Sequence, residues 1–256
     1  MAYVLRTNSL SKTIGDKKIV TDVNIHIERG KIYGFLGPNG AGKTTFMRSL
    51  IGLYPSATGS ILLNGANIHS VDIGYLPQKF GLFPGMTVRE CMRYIAFSKG
   101  ISSCSLDEDI EAVIESVNLS SYIDKKAHTL SGGMVRRVGI AQAFLGNPPI
   151  IICDEPTAGL DPEERLRFRD LIKQTNCDDK IIIISTHIVD DAEFLCNYIE
   201  IIDQGYIIAK DTTDGIKTAM TRLLASRSID TQELTSPDPT LEDGYMYILK
   251  SYRNGV

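Results

Sequence analysis

The run Gly37-Pro38-Asn39-Gly40-Ala41-Gly42-Lys43-Thr44-Thr45 sets glycines, a lysine and a hydroxyl at the spacing G-x-x-x-x-G-K-[ST]. That spacing suits a loop that wraps phosphate. The glycines let the backbone curl so that its N–H groups point inward at phosphate oxygens. Lys43 is expected to reach the β- and γ-phosphates, and the Thr44 hydroxyl to ligate Mg²⁺. The flanks fit this chemistry. An apolar strand, Ile32 to Leu36, leads in. A helix-period stretch leads out, with Phe46, Met47, Leu50 and Ile51 on one face before Gly52. Its positive dipole end faces the loop. The chain is therefore expected to bind a nucleoside triphosphate.

Two further clusters bear on what the binding is for. Asp154-Glu155 follows the aliphatic strand Ile150-Ile151-Ile152-Cys153. Alone, such a pair is a solvated acidic turn. Beside a phosphate loop, Asp154 is expected to hold Mg²⁺ through its water shell. Glu155 is then placed to polarise a water for in-line attack on the γ-phosphate. The second cluster is Leu130-Ser131-Gly132-Gly133-Met134. Ser131 suits a helix N-cap, and Met134, Val138, Ala141 and Leu145 follow at helical spacing. Glycines at a helix start expose backbone N–H groups to an anion.

These residues need positioning elements. Ile19, Val23, Ile25 and Ile27 are spaced for one face of a strand, and Ile61-Leu62-Leu63 with Asn64-Gly65 predicts a strand and tight turn. Ile73 to Leu76 is another short strand. From about Met86 to Leu145 the pattern becomes helical. Thr87 with Glu90, and Ser105 with Glu108, fit capping boxes. Ile150–Cys153 and Ile181–Ile184 lack alternation, as strands buried on both faces of a parallel sheet do. Each is followed by polar residues (Asp154-Glu155, then Ser185-Thr186-His187), where ligands bind in open α/β sheets. Ile199–Ile202 and Tyr206–Ala209 predict a hairpin around Asp203-Gln204-Gly205. Ser228 to Pro239 is polar and loop-like; Leu241, Tyr245, Ile248 and Tyr252 then predict a final helix that docks back. The fold class is α/β.

Composition narrows the function. The chain has 256 residues, 43% hydrophobic and 23% charged, an ordinary globular balance. A net charge of -4 argues against binding nucleic acid by blanket phosphate neutralisation. Cys91, Cys104, Cys153, Cys177 and Cys196 form no C-x-x-C pair and suit free thiols in a reducing cytoplasm. The histidines lack metal-ligand spacing, so zinc is not expected. No signal-peptide core or membrane-spanning run is present in the sequence. The chain is expected to be soluble, any membrane part coming from another chain.

The ordered set of motifs resembles the nucleotide-binding subunit of an ATP-binding cassette (ABC) transporter, over about Val4 to Thr218. Gly37–Thr45 resembles the Walker A loop, Gln78 the Q-loop glutamine, Leu130–Met134 the signature motif and Ile150–Asp154 Walker B. Glu155 then matches the catalytic glutamate, Asp161 the D-loop aspartate and His187 the switch histidine. The resemblance implies a P-loop NTPase core of mainly parallel sheet, an antiparallel β subdomain and a helical subdomain at about residues 79–146. These form an ATPase domain over 1–220, with a tail and short docking helix at 221–256. It also implies ATP and Mg²⁺ as cofactors, with Thr44, Gln78 and Asp154 at the metal. Ser131, Gly132, Gly133 and Asp161 would act on a second subunit's nucleotide in a head-to-tail dimer. Two positions depart from the pattern. Met134 replaces the common Gln, as in related efflux-type cassettes. Ile14 stands where an aromatic stacks on adenine, so apolar packing would replace stacking there.

Phe80, Leu82, Phe83, Pro84 and Met86 follow the Q-loop, where a transporter's membrane subunit docks; about two of the five are expected to be exposed. The Tyr33–Pro38 stretch, the Met134 signature and Pro239–Asp243 resemble exporters of drugs, peptide antibiotics and bacteriocins. The expectation is an export ATPase, peripheral on the cytoplasmic face of the membrane, working with a membrane-spanning permease and a second copy of itself. Nucleic acid is not expected. The alternative is a soluble cassette ATPase acting in a cytoplasmic assembly or nucleic-acid process.

Overall fold

The strand that leads into the phosphate loop, β3 (Lys31–Leu36), lies at the centre of a six-stranded sheet. The computed structural model describes residues 4–54, 58–67, 72–101, 104–175, 179–218 and 240–255. On one side of β3 lie β8 (Ile181–Thr186), β7 (Ile150–Asp154) and β6 (Ile73–Leu76), all parallel. On the other lies β9 (Tyr198–Asp203), also parallel, and then β10 (Tyr206–Thr212), antiparallel. Every residue of β7 and β8 is buried, as their unbroken aliphatic runs predict. Parallel strands deliver all their carboxyl ends to one edge, so Gly37, Gln78, Glu155 and His187 leave the sheet on the same side.

A second sheet, entirely antiparallel, has the order β2-β1-β4-β5. Its strands are β1 (Val4–Ile14), β2 (Lys17–Glu28), β4 (Thr58–Leu63) and β5 (Ala66–Asn67). Val23, Ile25 and Ile27 face its core, but Ile19 does not share their face. Asp22 has φ 51°, which shifts the alternation by one residue. Val20 therefore takes the buried position and Ile19 turns toward the loop.

Helix α1 (Lys43–Leu50) buries Phe46, Met47 and Leu50 between the two sheets, where Phe46 meets Phe35 at 4.8 Å between ring centroids. Three helices form a separate layer: α2 (Val88–Ser98), α3 (Leu106–Ser116) and α4 (Gly132–Phe144). The Thr87–Glu90 capping box is formed, with Glu90 N–H donating to Thr87 Oγ1 at 3.1 Å and Thr87 N–H to Glu90 Oε2 at 2.6 Å. Ser105 takes the N-cap place on α3 without a side-chain cap bond, because its ψ of 20° departs from the extended backbone a cap needs. Helices α5 (Pro162–Gln174) and α6 (Val189–Leu195) follow β7 and β8. The final helix, Leu241–Asn254, starts with a second capping box, Thr240 with Asp243. It buries Leu241, Tyr245 and Leu249, whereas Tyr252 is exposed. The polar stretch Ser228–Pro239 lies outside the described residues.

Candidate functional site

The loop between β3 and α1 is held by close backbone approaches that only glycine permits at two points. A Cβ on Gly37 would stand 2.2 Å from the Ile202 carbonyl oxygen, and one on Gly42, whose φ is 106°, would stand 2.7 Å from that of Ile19. The Lys43 ammonium folds back over this loop. It donates to the Gly37 carbonyl at 2.7 Å and the Pro38 carbonyl at 3.1 Å. Burial pulls its pKa down, and the nearby Glu155 carboxylate opposes that shift.

Glu155 is the point of convergence. Its Oε1 lies 3.4 Å from Lys43 Nζ and 3.2 Å from His187 Nδ1, and its Oε2 accepts from Gln78 Nε2 at 3.3 Å. Four segments distant in sequence thus meet on one carboxylate. Its backbone is left-handed, with φ 50°, a conformation that costs a non-glycine residue about 1 kcal/mol or more. The conformation is held by Glu155 N–H donating to both the carbonyl and the Oγ of Ser185, each at 3.1 Å. Strain of this kind, so supported, aims a side chain where the regular strand would not.

Asp154 is fully buried. Its Oδ1 accepts from Ser185 Oγ at 2.5 Å, and its Oδ2 has no hydrogen-bond partner. A buried carboxylate oxygen without a partner is costly, and an ion with its water shell would relieve it. No group of three or more His, Cys, Asp or Glu is arranged to hold a metal among the described residues. The cleft over these groups has a volume of about 390 Å³ and is lined by Lys17, Ile19, Asn39, Gly40, Gly42, Lys43, Thr44, Thr45, Gln78 and Glu155. Thr44, Gln78 and Glu155 thus line this cleft, and the buried Asp154 adjoins Glu155 in the chain.

Other predicted positions stand apart from this cleft within a single chain. Ile14 is 47% exposed at the end of β1, paired with Lys17, and Ile19 rather than Ile14 lines the cleft. Ser131 caps α4, its Oγ accepting from Met134 N–H at 3.2 Å, and is exposed. Asp161 caps α5 through Glu164 N–H at 2.9 Å and is also exposed. A Cβ added to Gly132 or Gly133 would meet nothing within 4 Å. Packing within the chain gives no reason for either glycine.

The sequence pattern did not single out Arg136 or assign a role to Ser185. Arg136, on α4 and 8% exposed, spends its guanidinium on five backbone carbonyls. It donates to Pro77 at 2.6 Å and Gln78 at 3.1 Å, then to Asp154 at 2.9 Å, Glu155 at 2.5 Å and Pro156 at 3.2 Å. One side chain ties the segment carrying Gln78 to the segment carrying Glu155. The signal available was helical spacing, which sets Arg136 on one face with the buried Gly139, Ile140 and Ala143.

Residues 20–158 match the family model described as ABC transporter. The chain is 37% identical over 216 residues to a Nod factor export ATP-binding protein I of Cupriavidus pinatubonensis, covering 82% of this chain and 66% of that relative. It thus spans just under two thirds of that protein's length. It is 35% identical to the linearmycin resistance ATP-binding protein LnrL of Bacillus subtilis, covering 82% of this chain and 69% of the relative. Among solved structures, an ATP-binding subunit of an ABC transporter superposes with a TM-score of 0.80 at 27% identity, covering 96% of this chain and 99% of that one. A dimeric bacterial ABC transporter cassette matches with a TM-score of 0.73 at 26% identity, covering 81% of this chain and 98% of that one.

Proposed function

The chain belongs to the ABC transporter family, and from that premise we propose that it is the ATP-hydrolysing subunit of an export system, working as a head-to-tail dimer on a separate membrane permease. The observation that carries this proposal is the meeting of Lys43, Gln78 and His187 on Glu155, beside a buried Asp154 with one bare oxygen.

The loop N–H groups and Lys43 would grip the β- and γ-phosphates, Lys43 leaving its loop carbonyls for phosphate oxygens. Thr44, Gln78 and Asp154 would hold Mg²⁺, which when bound would supply positive charge beside the phosphate oxygens. Glu155 would accept a proton from the attacking water, and His187 would orient that water and the γ-phosphate. Lys17 and Ile19 line the cleft, and Ile14, paired with Lys17 in the β1–β2 hairpin, would supply apolar contact to adenine.

A second copy completes the site in this proposal. The exposed start of α4, with its Ser131 cap and open Gly132 and Gly133, suits close approach by another chain's phosphate. Asp161 would lie along the same interface. One of the similar structures is itself a dimer. Phe83 (49% exposed), Tyr94 (51%) and Phe97 (82%) form an apolar patch beside the Q-loop segment, suited to an apolar helix of a permease. Phe80 and Leu82 pack into the core instead. No helix among the described residues is long and apolar enough to cross a membrane. As the ATP-hydrolysing partner of a permease, the subunit would sit on the cytoplasmic face. We divide it into an ATPase domain at 1–220, with its helical subdomain at about 79–146, and a C-terminal part at 221–256. Two similar proteins carry the names Nod factor export and linearmycin resistance, which favours export of a drug-like or antibiotic cargo.

Glu155→Gln is expected to retain ATP binding, lose turnover and accumulate as an ATP-bound dimer on size-exclusion chromatography. Normal turnover would refute the role of Glu155. Co-purification with a multispanning membrane protein is the second expected result; a stable complex with soluble partners alone would favour a cytoplasmic assembly ATPase.

A further inference from the structure

The C-terminal helix plays no part in the chemistry above, yet a charged pair ties it to the floor of the phosphate loop. That floor is the turn between β9 and β10. The Ile202 carbonyl lies under Gly37, so closely that a Cβ there would stand at 2.2 Å. Three residues on, Gly205 N–H donates to the Ala41 carbonyl at 2.9 Å, and the Gly205 carbonyl accepts from Thr21 N–H at 2.9 Å. The turn therefore supports the loop near both ends and clamps it to β2.

Asp203, the last residue of β9, leads into this turn and is 2% exposed. Both of its carboxylate oxygens are taken by Arg253, which donates through Nε at 2.8 Å and Nη2 at 2.9 Å. Two parallel bonds of this kind fix orientation as well as distance. Arg253 is in turn fixed by the seat of its helix, where Gly244 packs on Ile216 and Leu241, Tyr245 and Leu249 are buried. Arg253 is itself about half exposed, so its removal would let water onto the Asp203 carboxylate; what would be lost is the two-bond fork that fixes the end of β9 and, through it, the hold of Gly205 on Ala41.

We propose that Arg253 is a positioning residue for nucleotide binding. Through Asp203 it holds the β9–β10 turn, and through the turn it sets the phosphate loop in its gripping conformation. This inference rests on the ATPase assignment above.

The test uses the full chain with Arg253→Gln, titrated with a fluorescent ATP analogue and assayed for hydrolysis. ATP affinity is expected to weaken by roughly threefold to thirtyfold, the span over which such contact chains alter coupling. KM should rise while kcat at saturating ATP stays within about twofold. Hydrogen exchange should rise in residues 37–45 and 202–206, not throughout the chain. ATP affinity within about twofold of wild type, or exchange raised uniformly, would overturn the inference. If wild type itself bound no ATP, the ATPase assignment would fail instead. Should Arg253→Gln not fold, the double variant Asp203→Asn/Arg253→Gln, which strands no buried charge, gives the same readouts.

Discussion

Replacing Arg136 with Met removes the guanidinium and keeps an unbranched side chain of similar reach. Five hydrogen bonds to backbone carbonyls are lost. At about 1 kcal/mol net for each, the gross loss is about 5 kcal/mol. Two effects reduce it. The Glu155 carbonyl keeps a second partner, the Ala158 N–H at 3.2 Å. The variant also no longer buries a cation, whose desolvation already pulls the Arg136 pKa down. A net loss of about 3 kcal/mol remains, which for a domain of this size lowers Tm by about 6–12 °C. Differential scanning fluorimetry reads that shift. The functional effect should exceed the loss of folded protein, because the freed carbonyls flank both Gln78 and Glu155. ATPase rate per folded molecule should therefore fall, measured well below the variant's Tm. Arg136→Lys, with three donors in place of the fork, should fall between the two. A Tm change under about 2 °C with normal turnover would show that the five bonds do not position the site.

Other outcomes follow from the same geometry. Lys43→Ala should abolish most ATP affinity by equilibrium titration, since Lys43 is the buried cation of the phosphate loop; unchanged affinity would remove the loop from the mechanism. Ser131→Arg, at an exposed helix start outside its own cleft, should leave ATP binding intact and eliminate the rise of specific activity with protein concentration; a normal concentration dependence would count against a shared site. Glu200 supplies a pH prediction. Burial pushes its carboxyl up to about 7, and its Oε2 has no hydrogen-bond partner. The folded state thus holds this proton more tightly than the unfolded chain, so stability falls as pH rises from the unfolded value through about 7. The difference from an ordinary carboxyl amounts to about 3 kcal/mol. Glu200→Gln should raise Tm at about pH 8 and leave it nearly unchanged at about pH 4.5; an equal gain at both would assign the effect to packing.

The phosphate loop, the two buried strands and the carboxylates at the end of β7 were legible because their meaning is local: spacing along a few residues encodes them. The tight turns at Asn64-Gly65 and Gln204-Gly205 were legible for the same reason, and both have the positive φ values their residues suggest. Contacts between distant segments were not. Nothing near Arg136 in the sequence announces that Pro77 and Pro156 will lie beneath it. Asp203 and Arg253 are fifty residues apart and identify each other only in space. The slip at Asp22 misled for a different reason. A single residue in a left-handed conformation breaks the two-residue period, and Asp22 carries no label beyond being a residue type that tolerates it. Ser105 fits the capping pattern in sequence, but its backbone ψ decides the outcome.

Helix α4 holds Ser131 at its exposed start and Arg136 at its buried side. The two are five residues apart, about 7.5 Å along the axis, a span over which an α-helix scarcely bends. In a head-to-tail pair, each such helix would act as a stiff rod with one end on its own Glu155 backbone and the other on its neighbour's phosphate. Any shift of Glu155 as phosphate departs would then be felt at the opposite nucleotide without a large rearrangement. Two active sites wired in this way cannot keep separate clocks: the pair should fire in concert or in turn, and its ATP saturation curve should depart from a simple hyperbola.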